Sequence, residues 1–234
     1  MKYFITFGNK LYYNAIQRIV NEAKSFNVFD NIIGYTDTYL QNDTEFWKQH
    51  GSFIEKNRVG YGCWLWKSYL VMKTLSSMKD DDILIYADAG CHLNIQGHTR
   101  LQDYFRIVEE SQYGILSFQM SHLPEKQYTK SDVLKHFDTD SNSGQLVGGI
   151  FIIKKCPHVN KIVELWYKTC CDYHLLDNSP SIIPNDKTFI DNRYDQSIWS
   201  VIRKKYGTEI LEDETYSAPK WNLNHPIWAI RSKI

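Results

Sequence analysis

The segment Asp80-Asp-Asp-Ile-Leu-Ile-Tyr-Ala-Asp-Ala-Gly-Cys-His92 decides how the rest of the sequence is interpreted. Its apolar run, residues 83–86, is rich in β-branched residues and bounded by acids and a glycine, which is typical of a buried strand in a parallel sheet. Open α/β sheets bind ligands at the carboxyl ends of such strands, where Asp88 lies. A carboxylate at that place suits a hard cation and a phosphate-bearing substrate. The alternative is an aspartate that only caps the following turn.

The composition is that of one folded domain. The chain has 234 residues, of which 43% are hydrophobic and 15% aromatic, and this excludes a disordered protein. Lys+Arg and Asp+Glu are both 27, so the formal net charge is zero. Nucleic-acid-binding domains usually carry a basic surplus, and we therefore expect no nucleic-acid partner. A single domain over residues 1–234 is the simplest prediction.

The cysteines and the apolar runs predict a cytoplasmic protein. There are five cysteines, an odd number, and no CxxC pair, which favours free thiols in a reducing compartment over a disulfide framework or a zinc site. The strand-like N-terminal run is too short for a signal peptide. No apolar run approaches the roughly 18 residues of a membrane span, so we expect no transmembrane segment.

Apolar periodicity predicts strands alternating with helices from the N-terminus onward. A strand at 3–7, a helix at 11–25 and a strand at 28–35 form an opening βαβ unit. Thr6, Phe7 and Gly8 end the first strand, where a base and ribose would lie. No GxGxxG follows, which counts against a dinucleotide dehydrogenase. The fold class predicted is α/β, a Rossmann-like domain with a mixed, mostly parallel central sheet flanked by helices.

A second unusual stretch is Arg58-Val-Gly-Tyr-Gly-Cys-Trp-Leu-Trp-Lys67, which precedes an apolar helix. Arg58 and Lys67 are candidates for holding phosphate oxygens, since a helix N-terminus adds its own partial positive charge. Trp64 and Trp66 are either core anchors or aromatic faces beside a ligand, and the core interpretation is favoured. Lys67 would then only extend its charged end to the surface.

Two later segments carry further candidates. Gly148 and Gly149 precede an apolar strand, where paired glycines either let a backbone approach a ligand closely or form an ordinary turn. Asp195 is predicted in the first turn of a helix capped by Asp191 or Asn192. The Asp195 carboxylate would stabilise that helix end, or else face the cleft and orient an acceptor hydroxyl.

The order of these motifs resembles that of GT-A glycosyltransferases, which use nucleotide-diphospho-sugars. The similarity extends over residues 3–231, and small transferases of bacterial and large-virus glycan synthesis resemble the chain most. It is carried by Thr6-Phe-Gly, Gly60-Tyr-Gly-Cys-Trp-Leu-Trp-Lys67, Asp88-Ala-Gly-Cys, Glu125-Lys-Gln-Tyr-Thr-Lys130, Gly148-Gly-Ile-Phe and Tyr194-Asp-Gln-Ser.

The resemblance implies a divalent metal, Mn²⁺ or Mg²⁺, held by Asp88 on the donor diphosphate. The family places Asp-x-Asp at the end of the central strand, whereas here Gly90 stands in the second acidic position. Either one carboxylate suffices with help from elsewhere, or metal dependence is weak or absent. His225 is the candidate second ligand. Arg58, Lys67 and Arg231 are the cations that would neutralise the phosphates instead.

By the same resemblance, two carboxylates are the candidate catalytic groups. Asp195 would be the base of an inverting enzyme, and Asp88 would act at the diphosphate; a retaining enzyme would need no such base, and the stereochemistry stays open. The candidate donor-binding residues lie along the presumed cleft: Thr6, Phe7, Gly8, Arg58, Trp66, Lys67, Asp88, Ala89, Gly90, Gly148, Gly149, Gln196 and Arg231.

The function implied is transfer of a hexosyl or deoxyhexosyl group from a nucleotide-sugar to a hydroxyl of a glycan or glycoconjugate. UDP is the expected base by resemblance. Two alternatives remain open: a sugar nucleotidyltransferase, for which residues 6–10 make a poor phosphate loop, and a non-catalytic glycan-binding module that stacks aromatic rings on sugars.

Overall fold

A computed structural model describes residues 1–216 and 220–234. The strands are short except for the first and fifth: β1 (Lys2–Gly8), β2 (Asn31–Thr36), β3 (Ile83–Ala87), β4 (His92–Leu93), β5 (Ile115–Pro124), β6 (Gly144–Leu146), β7 (Ile150–Lys154), β8 (Glu209–Glu212) and β9 (Ile227–Trp228). The helices alternate with them: α1 (Tyr13–Ser25), α2 (Asp37–Asn42), α3 (Thr44–Lys56), α4 (Gly60–Cys63), α5 (Leu65–Ser77), α6 (His98–Glu110), α7 (Glu125–Tyr128), α8 (Ser131–Phe137), α9 (Pro157–Cys170), α10 (Tyr173–Leu176) and α11 (Asp195–Tyr206).

The central sheet is mixed, with most strands in one direction. Its order is β2-β1-β3-β7-β5-β6, and β8 pairs with β5. The pairings run β1, β2, β3, β5 and β8 in the same direction, whereas β6 and β7 run in the opposite one. The predicted mixed, mostly parallel sheet with flanking helices is therefore confirmed. A separate two-stranded sheet joins β4 to β9.

Alternating side chains on the central strands build a hydrophobic core on each face of the sheet. On β3, Ile83 and Ile85 face the layer of α1 and α6, whereas Leu84 and Tyr86 face the layer of α5, α9 and α11. This two-residue period is intrinsic to a strand. It places Tyr86 and, one step further, Asp88 on the side of the sheet that α5 and α11 cover.

Element boundaries differ from the sequence prediction at a few places. The first long helix begins at Tyr13 because residues 10–12 form a 3-10 turn. The run 145–154 is interrupted at Gly148 and Gly149 and gives two strands, β6 and β7. None of the helices in the described ranges is long and apolar enough to cross a membrane. All five cysteines are free.

Candidate active site

A buried lysine lies between two carboxylates at the carboxyl end of β3. The ammonium of Lys67 is 3.0 Å from Asp195 Oδ2 and 3.3 Å from Asp88 Oδ1. It also donates a hydrogen bond of 3.2 Å to the carbonyl oxygen of Gly148. The Lys67 side chain is 3% exposed and that of Asp195 is 4% exposed, whereas that of Asp88 is 39% exposed. Asp88 is therefore the member of the trio that faces solvent.

A left-handed turn sets the position of Lys67. All four residues of α4 have positive φ, from 54° to 85°, and Trp64 continues the run with a φ of 59°. Gly60 and Gly62 adopt this conformation without penalty, but each non-glycine residue costs about 1–2 kcal/mol. Backbone strain of this kind concentrates at functional sites. The turn reverses the chain so that α5 starts at Leu65 and carries Lys67 into the interior.

A second strained residue sets the position of Asp195. Tyr194 precedes α11 with a φ of 53°, and its ring centroid lies 5.3 Å from that of Trp64. Asp195 is the first residue of the helix. Trp64 and Tyr194, which precede α5 and α11, thus pack on each other. This contact fixes the first turns of the two helices relative to each other.

Burial dominates the ionisation of Asp195. Removal from water raises the pKa of its carboxyl to about 6, although the nearby Lys67 ammonium acts in the opposite direction. Oδ2 is buried and has no hydrogen bond of good geometry, so the ion pair with Lys67 is its main compensation. Asp195 is therefore a carboxylate at pH 7 that takes up a proton more readily than an exposed aspartate.

The Asp88 carboxylate is oriented by the strand that precedes it. Tyr86, two residues earlier on the same face of β3, donates its hydroxyl to Asp88 Oδ1 at 2.6 Å. The amide of Asp88 donates to the carbonyl oxygen of Gly149 at 2.8 Å. Oδ1 is thus shared by a phenol and an ammonium.

The loop after Asp88 is clamped from two sides. Arg18 on α1 donates to the carbonyl oxygens of Ala89, at 3.0 Å, and Cys91, at 2.8 Å. On the other side the C-terminal segment crosses Gly90, where a Cβ would lie 3.0 Å from the Cα of Arg231. The predicted donor-site residues Ala89, Gly90 and Arg231 therefore adjoin one another.

Gly148 and Gly149 close the other wall of the site. A Cβ on Gly149 would lie 2.5 Å from Asp88 Oδ2, so only glycine leaves that carboxylate in place. The Gly148 amide donates to Gln196 Oε1 at 3.0 Å, and Gln196 donates in turn to Gln145 at 2.7 Å. The structure thus brings Lys67, Asp88, Asp195, Gln196, Gly148 and Gly149 into one cluster.

Three predicted donor-site side chains belong to the core instead. Thr6 is 1% exposed, and Phe7 and Trp66 are each 4% exposed. The rings of Phe7 and Trp66 lie 3.8 Å apart, and Trp66 Nε1 donates to the carbonyl oxygen of Gly60. Gly8 is buried as well. These side chains pack in the core beneath the site, between the end of β1 and the left-handed turn.

Arg58 and His225 stand apart from the cluster. Arg58 is exposed on the turn before α4, and its guanidinium has no hydrogen bond or ion pair with the described residues. His225 Nε2 lies 3.6 Å from Glu214 and 3.4 Å from Asn222 Nδ2, and none of its polar contacts is with Asp88. The His225 Nδ1 atom is buried without a hydrogen-bond partner in the described ranges.

The side chains around Asp88 do not make a fitting divalent-metal site. No group of three or more His, Cys, Asp or Glu side chains that could hold a metal ion occurs in residues 1–216 and 220–234. Gly90 offers no side-chain ligand, and Oδ1 of Asp88 already faces the Lys67 ammonium. Divalent cations of this type require several oxygen ligands. The metal role of Asp88 and His225 stays a prediction from resemblance.

Sequence analysis missed three residues that shape the site. Tyr86 was detectable, since a strand places residues 86 and 88 on one face. Arg18 gives no local signal, because its carbonyl partners follow it by about 70 residues. Arg193 precedes Asp195 by two residues, and its guanidinium lies 4.0 Å from the centre of the Tyr128 ring.

Comparison with known proteins gives structural matches only. No protein-family model matches the chain. No curated protein matches it in sequence. A glycosyltransferase involved in the glycosylation of the major capsid of PBCV-1 superposes with a TM-score of 0.55 at 8% identity, over 97% of this chain and 92% of that one. The galactosyltransferase LgtC, in complex with donor and acceptor sugar analogs, gives 0.52 at 10% identity, over 97% and 86%. The chain has the GT-A fold of glycosyltransferases.

Proposed function

We propose that this protein is a glycosyltransferase that uses a nucleoside diphosphate sugar, with UDP as the expected nucleotide. It would transfer a hexosyl or deoxyhexosyl group to a hydroxyl of a glycan or glycoconjugate. The observation that carries the proposal is the Lys67 ammonium held between Asp88 and Asp195 in a GT-A fold. Functional sites are where burial and charge pairs are arranged to shift pKa values, and Asp195 is such a group.

The proposed reaction is a substitution at the anomeric carbon of the donor sugar. The bond between the anomeric carbon and the diphosphate oxygen breaks, and a bond to the acceptor oxygen forms. In an inverting enzyme the acceptor hydroxyl would lose its proton to Asp195, whose pKa of about 6 suits a base working near neutral pH. Lys67 keeps this carboxylate charged before the acceptor arrives.

The leaving nucleoside diphosphate gains negative charge as the bond breaks. Cationic groups aimed at that charge stabilise the transition state more than the ground state. Arg231 is the proposed cation, since it adjoins the Asp88 loop through Gly90, whereas Arg58 stands apart from the cluster. A divalent metal would supply the same charge where one binds, but no step here depends on it.

The glycine pair positions the two side chains proposed to contact the donor sugar. A Cβ on Gly148 would lie 2.7 Å from Gln196 Cβ and one on Gly149 would lie 2.5 Å from Asp88 Oδ2, so both side chains lie directly against the backbone. Gln196 is fixed by Gln145 and by the Gly148 amide, and its position one residue after Asp195 suits contact with sugar hydroxyls.

The test is turnover of a panel of nucleotide-sugars by the wild type, Asp195→Asn, Asp88→Asn and Asp103→Asn. We expect release of one nucleoside diphosphate, reduced about 10²- to 10⁴-fold in the first two variants. Asp103 lies on α6 and pairs with Arg100 and Arg106, so it serves as the control. Wild-type turnover in folded Asp195→Asn would remove the proposed base. Glycan affinity without turnover, unaffected by Asp88→Ala, would favour the glycan-binding module.

A further inference from the structure

Resting on the proposed function, we propose that Arg193 and Arg231 bind the donor diphosphate together and that no divalent metal is required. Arg193 was not among the residues expected at the site from sequence. The two guanidinium groups would take the place that a metal occupies where the second acid of the motif is present. The ligand class is a nucleoside diphosphate.

The first observation is that one oxygen of the Asp88 carboxylate already faces a protein cation. The Lys67 ammonium lies 3.3 Å from Asp88 Oδ1, and Tyr86 donates to the same oxygen. Lys67 is buried and also paired with Asp195, so it cannot move away without leaving a buried charge unpaired. A dication on Asp88 would sit close to this ammonium, and like charges repel strongly where water is excluded.

The second observation is the placement of Arg193. Its backbone is fixed by hydrogen bonds to Ser197 Oγ, at 2.9 Å, and to the Tyr128 carbonyl, at 3.1 Å. Its guanidinium lies over the Tyr128 ring at 4.0 Å, and within the described ranges it has neither a hydrogen bond nor an ion pair. An arginine stacked on a ring keeps its donors free for a planar or bidentate anion.

The third observation is that Arg231 adjoins the loop that follows Asp88. It has a positive φ of 63°, packs its backbone on Gly90, and is exposed. Its guanidinium likewise lacks any partner in the part of the chain described. Arg193 reaches the same cluster through Ser197, whose Oγ accepts from the Arg193 amide and from Gln145 at 3.3 Å, while Gln145 accepts from Gln196. Burial lowers the pKa of Arg193, and the positive charge of Arg231 lowers it further. An anion between them would relieve this repulsion.

The experiment is calorimetric titration of the purified protein with UDP, in EDTA and in Mn²⁺. We expect affinities that agree within about threefold in the two buffers. Arg193→Gln and Arg231→Gln should each weaken UDP binding about 10- to 100-fold in EDTA, as expected for loss of charged hydrogen bonds. Uridine, which has no phosphate, should bind all variants alike. Arg106→Gln, at an exposed position of α6, is the matched control.

The outcomes separate this inference from the proposed function. UDP binding that appears only with Mn²⁺ would overturn the metal-free site and leave the glycosyltransferase standing. If Arg193→Gln and Arg231→Gln bind UDP as tightly as Arg106→Gln does, the proposed role of these two arginines is wrong, and the glycosyltransferase proposal is unaffected. Failure to bind UDP, GDP, ADP or CDP in either buffer would overturn both. Arg193→Lys adds a check, because a point charge without the guanidinium fork should recover only part of the affinity.

Discussion

Replacing Lys67 with glutamine is the sharpest test of the buried charge trio. Glutamine keeps much of the side-chain volume and a donor but removes the charge. The pair between Lys67 and Asp195 is buried on both sides and 3.0 Å long. At that distance two opposite charges attract by about 5 kcal/mol for an effective dielectric constant of about 20. Breaking such a pair on one side costs about 3–5 kcal/mol, because the other charge stays buried and unpaired.

The assay is thermal unfolding of Lys67→Gln and of Lys73→Gln, with both lysines on α5. In a chain of this length each kcal/mol shifts Tm by about 2–4 °C, so Lys67→Gln should lower Tm by about 6–20 °C. Lys73 pairs with Asp43 at the same 3.0 Å but is 47% exposed. Exposed pairs contribute about 0–1 kcal/mol, so Lys73→Gln should lower Tm by about 4 °C or less.

The pH dependence of the Tm loss in Lys67→Gln shows whether the lost ion pair with Asp195 causes it. Without Lys67 the pKa of Asp195 should rise above its value of about 6, because the ammonium that opposed the effect of burial is gone. The stability deficit of Lys67→Gln should therefore be largest at pH 8, where Asp195 must be charged, and shrink as the pH falls towards 5. Equal Tm losses in the two variants, or a deficit that does not change with pH, would refute the electrostatic reasoning.

Three further predictions concern Asp195, Gly149 and His50. Turnover should fall as the pH decreases through about 6, where Asp195 takes up a proton, and a pH profile that is flat from 5 to 8 would exclude it as the base. Gly149→Ala should lower activity at least about tenfold with little change in Tm, since the new methyl displaces the flexible Asp88 carboxylate, 2.5 Å away, and meets no backbone atom closer. His50 is buried, and burial lowers its pKa to about 4. The unfolded chain binds its proton near pH 6.5, so stability should be lost as the pH falls from 6.5 to about 4, and the loss measured by denaturant titration should be smaller in His50→Gln.

The fold could be predicted from the sequence because the patterns that identify its strands and helices are local. The apolar run 83–86, the helical spacing of Ala15, Ile16 and Ile19, and the early strand-helix-strand order each identify an element within a few residues. The position of Asp88 follows from the same signals, since the end of a central strand is where a cleft forms. Helix starts were harder. α11 begins at Asp195 without a side-chain cap, whereas the two predicted caps bond elsewhere: Asp191 accepts from Asn178, and Asn192 donates to residues 176–177.

The partners of Lys67 could not be read from the sequence. Asp88 follows it by 21 residues and Asp195 by 128, and nothing local marks either as its counter-ion. The sequence favoured a core role for the tryptophans but kept Trp66 among the donor-site candidates, because an aromatic cluster beside cations occurs at binding faces as well as in cores. Whether the tryptophans are buried decides between a binding face and a core. Their burial depends on the path of the chain through the left-handed turn, which has five consecutive residues with positive φ.

The trio explains why a carboxylate would be kept at a place that is so unfavourable for charge. An exposed aspartate titrates near 3.9, too low for an effective base at neutral pH. Burial alone would raise the pKa of Asp195 further and leave it largely protonated. Lys67 offsets part of that effect, and the resulting pKa of about 6 keeps the group charged but basic. Because Lys67 also pairs with Asp88, which faces solvent, an anionic ligand that interacts with this ammonium would weaken its attraction to Asp195 and make that carboxylate a stronger base as the donor binds.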